Sequence, residues 1–532
     1  MKLVSKRAIK QVLGELPYTA EAYWRLRQQG KPLNKAFSLR LLEKSMPVWR
    51  SQAEAAAQTA RPGKKILIFS TLRYWVEHAT LLGLAMAGLG HQVTLAYLPY
   101  ASWRKPLNRF DLRRQNLYSR SVLCQAEPLV GSVSLLAVKG ANSPLPAGLE
   151  QEVQAVSLRD VQYTLQVEDV DPQSELYRLR LERNRQAARA ALTYLNGDQR
   201  PEVVITPNGS ILEMGAVYQA ARYLDIPVVT YEFGEQRERI WLAQGAEVMR
   251  QETGALWAAR QEQALSESQW EQVRALFASR QKASLWENFS RRWQGVPSQG
   301  GAQVRQALSL DSRPVVLLAA NVIGDSLTLG RQVFSDSMTQ WLERTIQYFA
   351  SRPEVQFVVR IHPGERYTKG PSVADVVRRV LPDLPGHIHL VAAEEPINTY
   401  DLVEIADLGL VYTTTVGMEM AMSGTPVIVA GQTHYRSKGF TIDPASWDSY
   451  FQALDRALAA PGHARPTREQ VERAWNYAYR FFFEYPLPFP WHLLHFWKEM
   501  DVWPVERVLS PEGQADFSTA FRCLAGEARD WD

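Results

Sequence analysis

The run VVRIHPGE closes an apolar strand-like stretch on His362 and Pro363. An imidazole at the carboxyl end of a strand can donate to a phosphate oxygen, while Pro363 stops the strand and fixes its exit. Farther on, VYTTTVGMEMAMSGTPVIVAG sets Thr413, Thr414, Thr415 and Gly417 between a strand and a helix. Free N–H groups and hydroxyls converge on an anion at such a junction. Glu419 falls in the first turn of that helix, where its two oxygens can accept both hydroxyls of a ribose. The plain alternative is a carboxylate that stabilises a helix start by about 0.3 to 1 kcal/mol with no ligand at all. His362 alone reads as structural. Phosphate donors, a hydroxyl-rich turn and a carboxylate on adjacent strand ends together point to a nucleoside mono- or diphosphate.

Other chemistries leave no mark. The sequence has no GxxxxGK[ST] loop, GxGxxG, HExxH or GxSxG, which counts against P-loop NTPases, dinucleotide oxidoreductases, zincins and α/β-hydrolases. Asp169-Val170-Asp171 has the DxD form of some metal-dependent sugar transferases, but three residues are a cheap match. His492 and His495 sit in an aromatic segment and read as packing histidines rather than ligands. No bound metal is expected. Cys124 and Cys523 lie too far apart in sequence to suggest a disulfide framework or a zinc site.

The elements that must carry these residues are read from apolar periodicity. KILIFS from Lys65, a mostly apolar helix through HATLLGLAMAGLG, and HQVTLAYLP make a strand, helix, strand unit. PEVVITPNGSILEMGAVYQAARYLDIPVVTYEFG makes a second, with strands ending near Thr206 and Glu232. The polar stretch 259–313 reads as helices and then a linker at PSQGG. Beyond it, VVLLAAN, VQFVVRIH, IHLV, LGLVYT and PVIVAG alternate with four helices, one starting on a Ser372/Asp375 capping box and one on Asn398. The fold class is therefore α/β, with two doubly wound, Rossmann-like parallel-sheet domains facing a cleft at the carboxyl ends of their strands. The expected division is an N-terminal basic helical arm at 1–62, an N-terminal Rossmann-like domain at 63–300, a C-terminal Rossmann-like domain at 301–465 and a C-terminal aromatic-rich helical tail at 466–532.

A chain of 532 residues with 46% hydrophobic and 22% charged residues has globular composition and room for several cores. Its apolar runs are far shorter than the roughly 20 residues of a membrane helix, and the start lacks a secretory signal, so a cytoplasmic protein is expected. The net charge of +4 is unevenly spread: residues 1–65 hold fourteen Lys or Arg against four Asp or Glu. That arm, with AYWRLRQQ and AFSLRLLEKSMPVW, reads either as an amphipathic surface for an anionic membrane or as a helical cap packed on the body. The first option would make the protein peripheral at the inner membrane face. Nucleic acid is not an expected partner. The aromatic tail WNYAYRFFFEYPLPFPWHLLHFW reads as packed rather than lipid-facing.

RIHPGE, VYTTTVGMEMAMSGTPVIVAG and YRSKGFTID resemble segments of bacterial capsular or surface-polysaccharide biosynthesis proteins, a group similar to Kdo-type glycosyltransferases of the GT-B fold. TPNGS, YEFGE, NVIGDS and YAYRFFFEYPLPF extend the likeness over residues 65–490. The resemblance implies metal-independent transfer of a sugar from a nucleotide sugar to a glycan or lipid-linked glycan acceptor, with no further cofactor; CMP- and UDP-linked donors both stay open. It implies that His362 contacts the donor phosphate, that Thr414 and Thr415 line the phosphate site, that Glu419 holds the ribose, and that Asp325, Ser326 and Lys438 face the same donor. The Thr413–Thr415 triplet departs from the Ser/Thr pattern of closer members, which leaves donor base and sugar open. An inverting transferase also needs a general base on the acceptor side. His78 and Glu77 are the first candidates, with Glu232 and Glu235 behind them. Two other functions share this fold: a nucleotide-sugar 2-epimerase and a non-catalytic scaffold of a polysaccharide-export complex.

Overall fold

The computed structural model describes residues 6–141, 143–234, 236–283, 296–459 and 465–531. The chain forms two compact units, one of residues 1–160, 171–248 and 487–529, the other of 161–170, 249–486 and 530–532.

The first unit is built on strands β1 (Lys65–Thr71), β2 (Gln92–Leu98), β3 (Val130–Ser134), β4 (Val203–Pro207), β5 (Val228–Glu232) and β6 (Arg239–Gln244). Counting the short strand Leu487–Pro488, the sheet runs 487–488, β6, β5, β4, β1, β2, β3. β1 pairs in parallel with both β2 and β4. Every residue of β1 after Lys65 is buried, as expected of a strand covered on both faces. The helix Arg73–Gly88, next in the chain, is buried over nearly its whole length, which explains its mostly apolar sequence. Two strands escape a reading by apolar runs. β3 is VGSVS, buried only at its ends, and β6 is RIWLAQ, an antiparallel strand whose positions alternate between partly buried and buried.

The second unit contains β7 (Val315–Ala319), β8 (Gln356–Arg360), β9 (Ile388–Val391), β10 (Leu408–Val411) and β11 (Val427–Val429), in the order β11, β10, β7, β8, β9. All four pairings are parallel. The anticipated helix starts are present: Ser372 and Asp375 form a capping box, and Asn398 caps the helix Thr399–Ile405. Both sheets therefore have the doubly wound order in which the chain reverses direction beside the first strand. The crevice at that switch point lies between β1 and β4 in one unit and between β7 and β10 in the other.

Boundaries differ from those suggested by composition, and contacts explain why. Residues 249–283 belong with the second unit: Thr253 and Tyr477 hydroxyls lie 2.8 Å apart, and Asn398 Nδ2 donates to Gln281 O. Glu168 caps the helix Met338–Ala350, accepting from the Met338 and Thr339 amides. The basic arm is continuous with the first unit, where Leu42, Met46, Trp49 and Ala53 of the helix Arg40–Ala57 enter the core. The aromatic tail is likewise interior: Phe489 and Trp491 are fully buried in the first unit, and Tyr477 and Phe481 are buried in the second. Among the described residues no helix is long and apolar enough to cross a membrane.

Candidate active site

In the second unit the switch point is tied together by one side chain. Asn321, just past β7, accepts through Oδ1 from the Thr413 amide just past β10, at 3.1 Å. The segment Gln432–Lys438 wraps the same turn: Thr433 Oγ1 donates to Thr413 O, and Tyr435 Oη donates to Thr414 O at 2.6 Å. Gly417 is needed at this spot, because a Cβ there would lie 2.4 Å from Tyr435 Oη and 2.8 Å from Val411 Cγ2. Glu419, in the helix Val416–Met422, is 3% exposed and accepts through Oε1 from Arg280 Nη1 at 2.6 Å. One carboxylate oxygen is thus already committed, and Oε2 is left without a hydrogen-bond partner. Arg280 also sits over the rings of Phe277 and Phe482.

Several buried polar atoms around this turn have no hydrogen-bond partner, among them Thr413 Oγ1, Glu419 Oε2 and His434 Nε2. His434 stacks on Phe481 at 3.7 Å, and its Nδ1 lies 3.0 Å from Tyr477 Oη. Burial, with Arg331 and Lys438 nearby, holds its imidazole well below the ordinary histidine value, so it is neutral. Lys438 is half-buried and its ammonium is pushed down by that burial; among the described residues it forms no ion pair. Asn321, His434 and Arg280 escape a reading by motif. Asn321 heads the NVIGDS loop and His434 stands one position before YRSKGF, so both adjoin residues with a recognisable pattern. Arg280 lies in a polar helix with no local signal.

His362 caps the short helix Pro363–Tyr367, its Nδ1 accepting from the Gly364 amide at 3.0 Å. In the neutral ring the proton therefore lies on Nε2. Asp325 accepts from its neighbour, the Ser326 amide, at 2.7 Å, and burial raises its carboxyl above the ordinary value. The bend before it depends on Gly324, whose φ is +72° and whose Cβ would meet the Val167 and Gln166 backbone at 2.4 and 2.5 Å.

The acceptor-side candidates fare differently from one another. His78 is fully buried, with Nε2 3.0 Å from Trp491 O, and it is ringed by Phe233, Phe496 and Tyr231. Desolvation drives its pKa down to about 4. It is a packing residue in this structure, because the helix that begins beside the first strand turns this position inward. Glu77 is also buried, and desolvation pushes it up to about 7. Glu232 ends β5 and remains partly accessible. Its carboxylate accepts from Asn208 Nδ2 at 3.2 Å and from the Phe233 amide at 3.0 Å, and burial raises it to about 6. Asn208 and Gly209 of TPNGS are both left-handed, and Asn208 Oδ1 accepts from Ser210, so this turn is what presents the Asn208 amide to Glu232. Glu235 lies outside the described residues. Asp171 serves a local turn, accepting from the Gln173 amide. Among the described residues no three His, Cys, Asp or Glu side chains gather as a metal site.

No protein-family model matches the chain, and neither does any curated protein sequence. Among solved structures, a β-Kdo 2,4 transferase, KpsC, of Thermosulfurimonas dismutans is 16% identical over 53% of this chain and 80% of its own, with a TM-score of 0.32. A glycosyltransferase from Rickettsia africae ESF-5 is 10% identical over 85% of this chain and all of its own, with a TM-score of 0.29. A UDP-GlcNAc 2-epimerase from Neisseria meningitidis, bound to UDP-GlcNAc, is 13% identical over 79% of this chain and all of its own, with a TM-score of 0.26. These overlaps are too loose to transfer either chemistry to this chain. Its own two sheets establish a doubly wound α/β fold.

Proposed function

We propose that the chain is a glycosyltransferase that binds a nucleotide sugar at the switch point of the second unit and transfers the sugar to a glycan or lipid-linked glycan acceptor without a bound metal. The observation that carries this reading is that Thr413 Oγ1, Glu419 Oε2 and His434 Nε2 are buried and unpartnered around the Thr413–Thr415 turn. Buried polar groups are almost always satisfied, so orphans clustered at a switch point call for a polar ligand. Their chemistry is mixed: a hydroxyl, a carboxylate oxygen and a neutral imidazole. A nucleotide offers phosphate oxygens to the donors and ribose hydroxyls to Glu419. Lys438 adds a donor to the phosphate end, beside His362 and with Asp325 and Ser326 on the loop after β7. On the acceptor side, Glu232 is the carboxylate suited to take the proton from an attacking hydroxyl, because it is partly accessible and lies near neutrality.

The test is thermal stability against CMP, UDP and GDP, and then turnover. A nucleotide at 100 times its dissociation constant stabilises the folded chain by about 2.7 kcal/mol. One nucleotide is expected to raise the melting temperature, and the effect is expected to vanish in His362→Ala. Incubation of the matching nucleotide sugar without acceptor then separates transfer from 2-epimerisation. An altered sugar configuration would mean an epimerase; no stabilisation by any nucleotide would sink the donor site.

A further inference from the structure

We infer that the N-terminal arm is an interfacial anchor for an anionic lipid bilayer, a proposal independent of the sugar-transfer reading. The arm has two chemically distinct sides. One side is fastened to the helix Arg109–Leu123 of the same unit: Lys10 pairs with Asp111 and Arg109 with Glu15, each at 2.7 Å, and Arg113 pairs with Glu21. Tyr23 packs edge-on against Phe110 and lies under the Arg114 guanidinium. Farther along, the Leu39 amide donates to Tyr118 Oη, and Trp49 stacks on Trp497.

The remaining surface of the described arm exposes apolar side chains. Of the large hydrophobic side chains that are exposed among the described residues, eight fall between Ile9 and Val48 and nine are spread from Tyr74 to Val502. Val12 is 63% exposed, Leu26 81% and Val48 58%. In the helix Arg40–Ala57 the segregation tracks the helical period: Leu42, Met46, Trp49 and Ala53 face the core, while Leu41 and Val48, seven residues apart, share an exposed face with Lys44. Exposed cations fringe these apolar groups, with Arg25 and Arg27 flanking Leu26, and Arg40 and Lys44 flanking Leu41. None of the four forms an ion pair among the described residues. Exposed apolar side chains fringed by basic residues match the chemistry of a helix lying in the headgroup layer of an anionic membrane. A second copy of the chain is a poor occupant, since two arms of net +10 would be brought together.

Cosedimentation with vesicles tests this on the full chain. Removing the whole arm would also strip Leu42, Met46 and Trp49 from the core, so the variant is Val12→Asp/Leu26→Asp, with Leu384→Asp, exposed in the second unit, as control. Wild type is expected to pellet with phosphatidylglycerol-containing vesicles at low salt, to pellet several-fold less with pure phosphatidylcholine, and to be released at about 0.5 M salt. The double variant is expected to lose at least about five-fold in bound fraction, with unchanged circular dichroism and melting temperature, while the control binds like wild type. A double variant that pellets like wild type, equal binding to both vesicle types, or a double variant that changes only the oligomeric state in solution would overturn the anchor.

Discussion

Glu232 is held by two donors at the carboxyl end of its strand, yet burial outweighs both and raises the carboxyl to about 6. The Asn208 amide and the Phe233 N–H fix its direction. A base near neutrality can accept a proton without being fully protonated beforehand. The sign is fixed by the shift: Glu232 is ionised above about pH 6 and becomes protonated as pH falls through that value. The rate at limiting acceptor should therefore decline below about pH 6. Glu232→Gln should lower that rate by about 10²- to 10⁴-fold and flatten the acid limb, with nucleotide binding unchanged. An unaltered pH profile in the variant would remove Glu232 from the reaction. At this scale the sequence made the placement of these residues visible: His362 and the three threonines stand just past strand ends and Glu419 in the following helix, all marked by local pattern. His78 misled, since a histidine near a strand end looks the same in sequence whether it faces solvent or, as here, a cage of aromatic rings.

The helix Glu267–Gln281 matters because it delivers Arg280 to Glu419, a link that no spacing in the sequence announces: the two residues are 139 positions apart. Both side chains are 3% exposed. Breaking such a pair from one side strands a buried charge at a cost of about 3 to 5 kcal/mol, whereas neutralising both partners together costs much less. Urea denaturation should show Arg280→Met strongly destabilised and Arg280→Met/Glu419→Gln recovering most of the loss. Recovery of stability without recovery of ribonucleotide binding would assign Glu419 a ligand role in addition to its ion pair. Equal loss of stability in the single and double variants would show that the pair is not what Arg280 supports. Elements with long apolar runs were legible in the sequence, including all five strands of the second unit. β3 and β6 were not, because a strand buried only at its two ends or at alternate residues offers no run to detect.

At the scale of the molecule, two large apolar cores among the described residues are each confined to one unit. One is built around β1, β2 and β4 and takes in the 40–57 helix and the end of the chain; the other surrounds β7, β8 and β10. Long-range packing sets this division, so composition could place a break at a Gly- and Pro-rich stretch near 300 but could not show that 249–283 packs with the second unit or that 487–529 returns to the first sheet. The division gives the donor proposal a spatial signature. A nucleotide that satisfies Thr413 Oγ1, Glu419 Oε2 and His434 Nε2 must order the turn after β10 and the segment Gln432–Lys438. Ligand binding slows amide exchange where it suppresses local opening. Hydrogen exchange with saturating nucleotide should therefore slow at residues 411–419 and 432–438, while β1 to β3 exchange as in the free chain. Protection centred on β1 to β3 would place the nucleotide in the first unit and assign the orphaned atoms of the second to some other ligand.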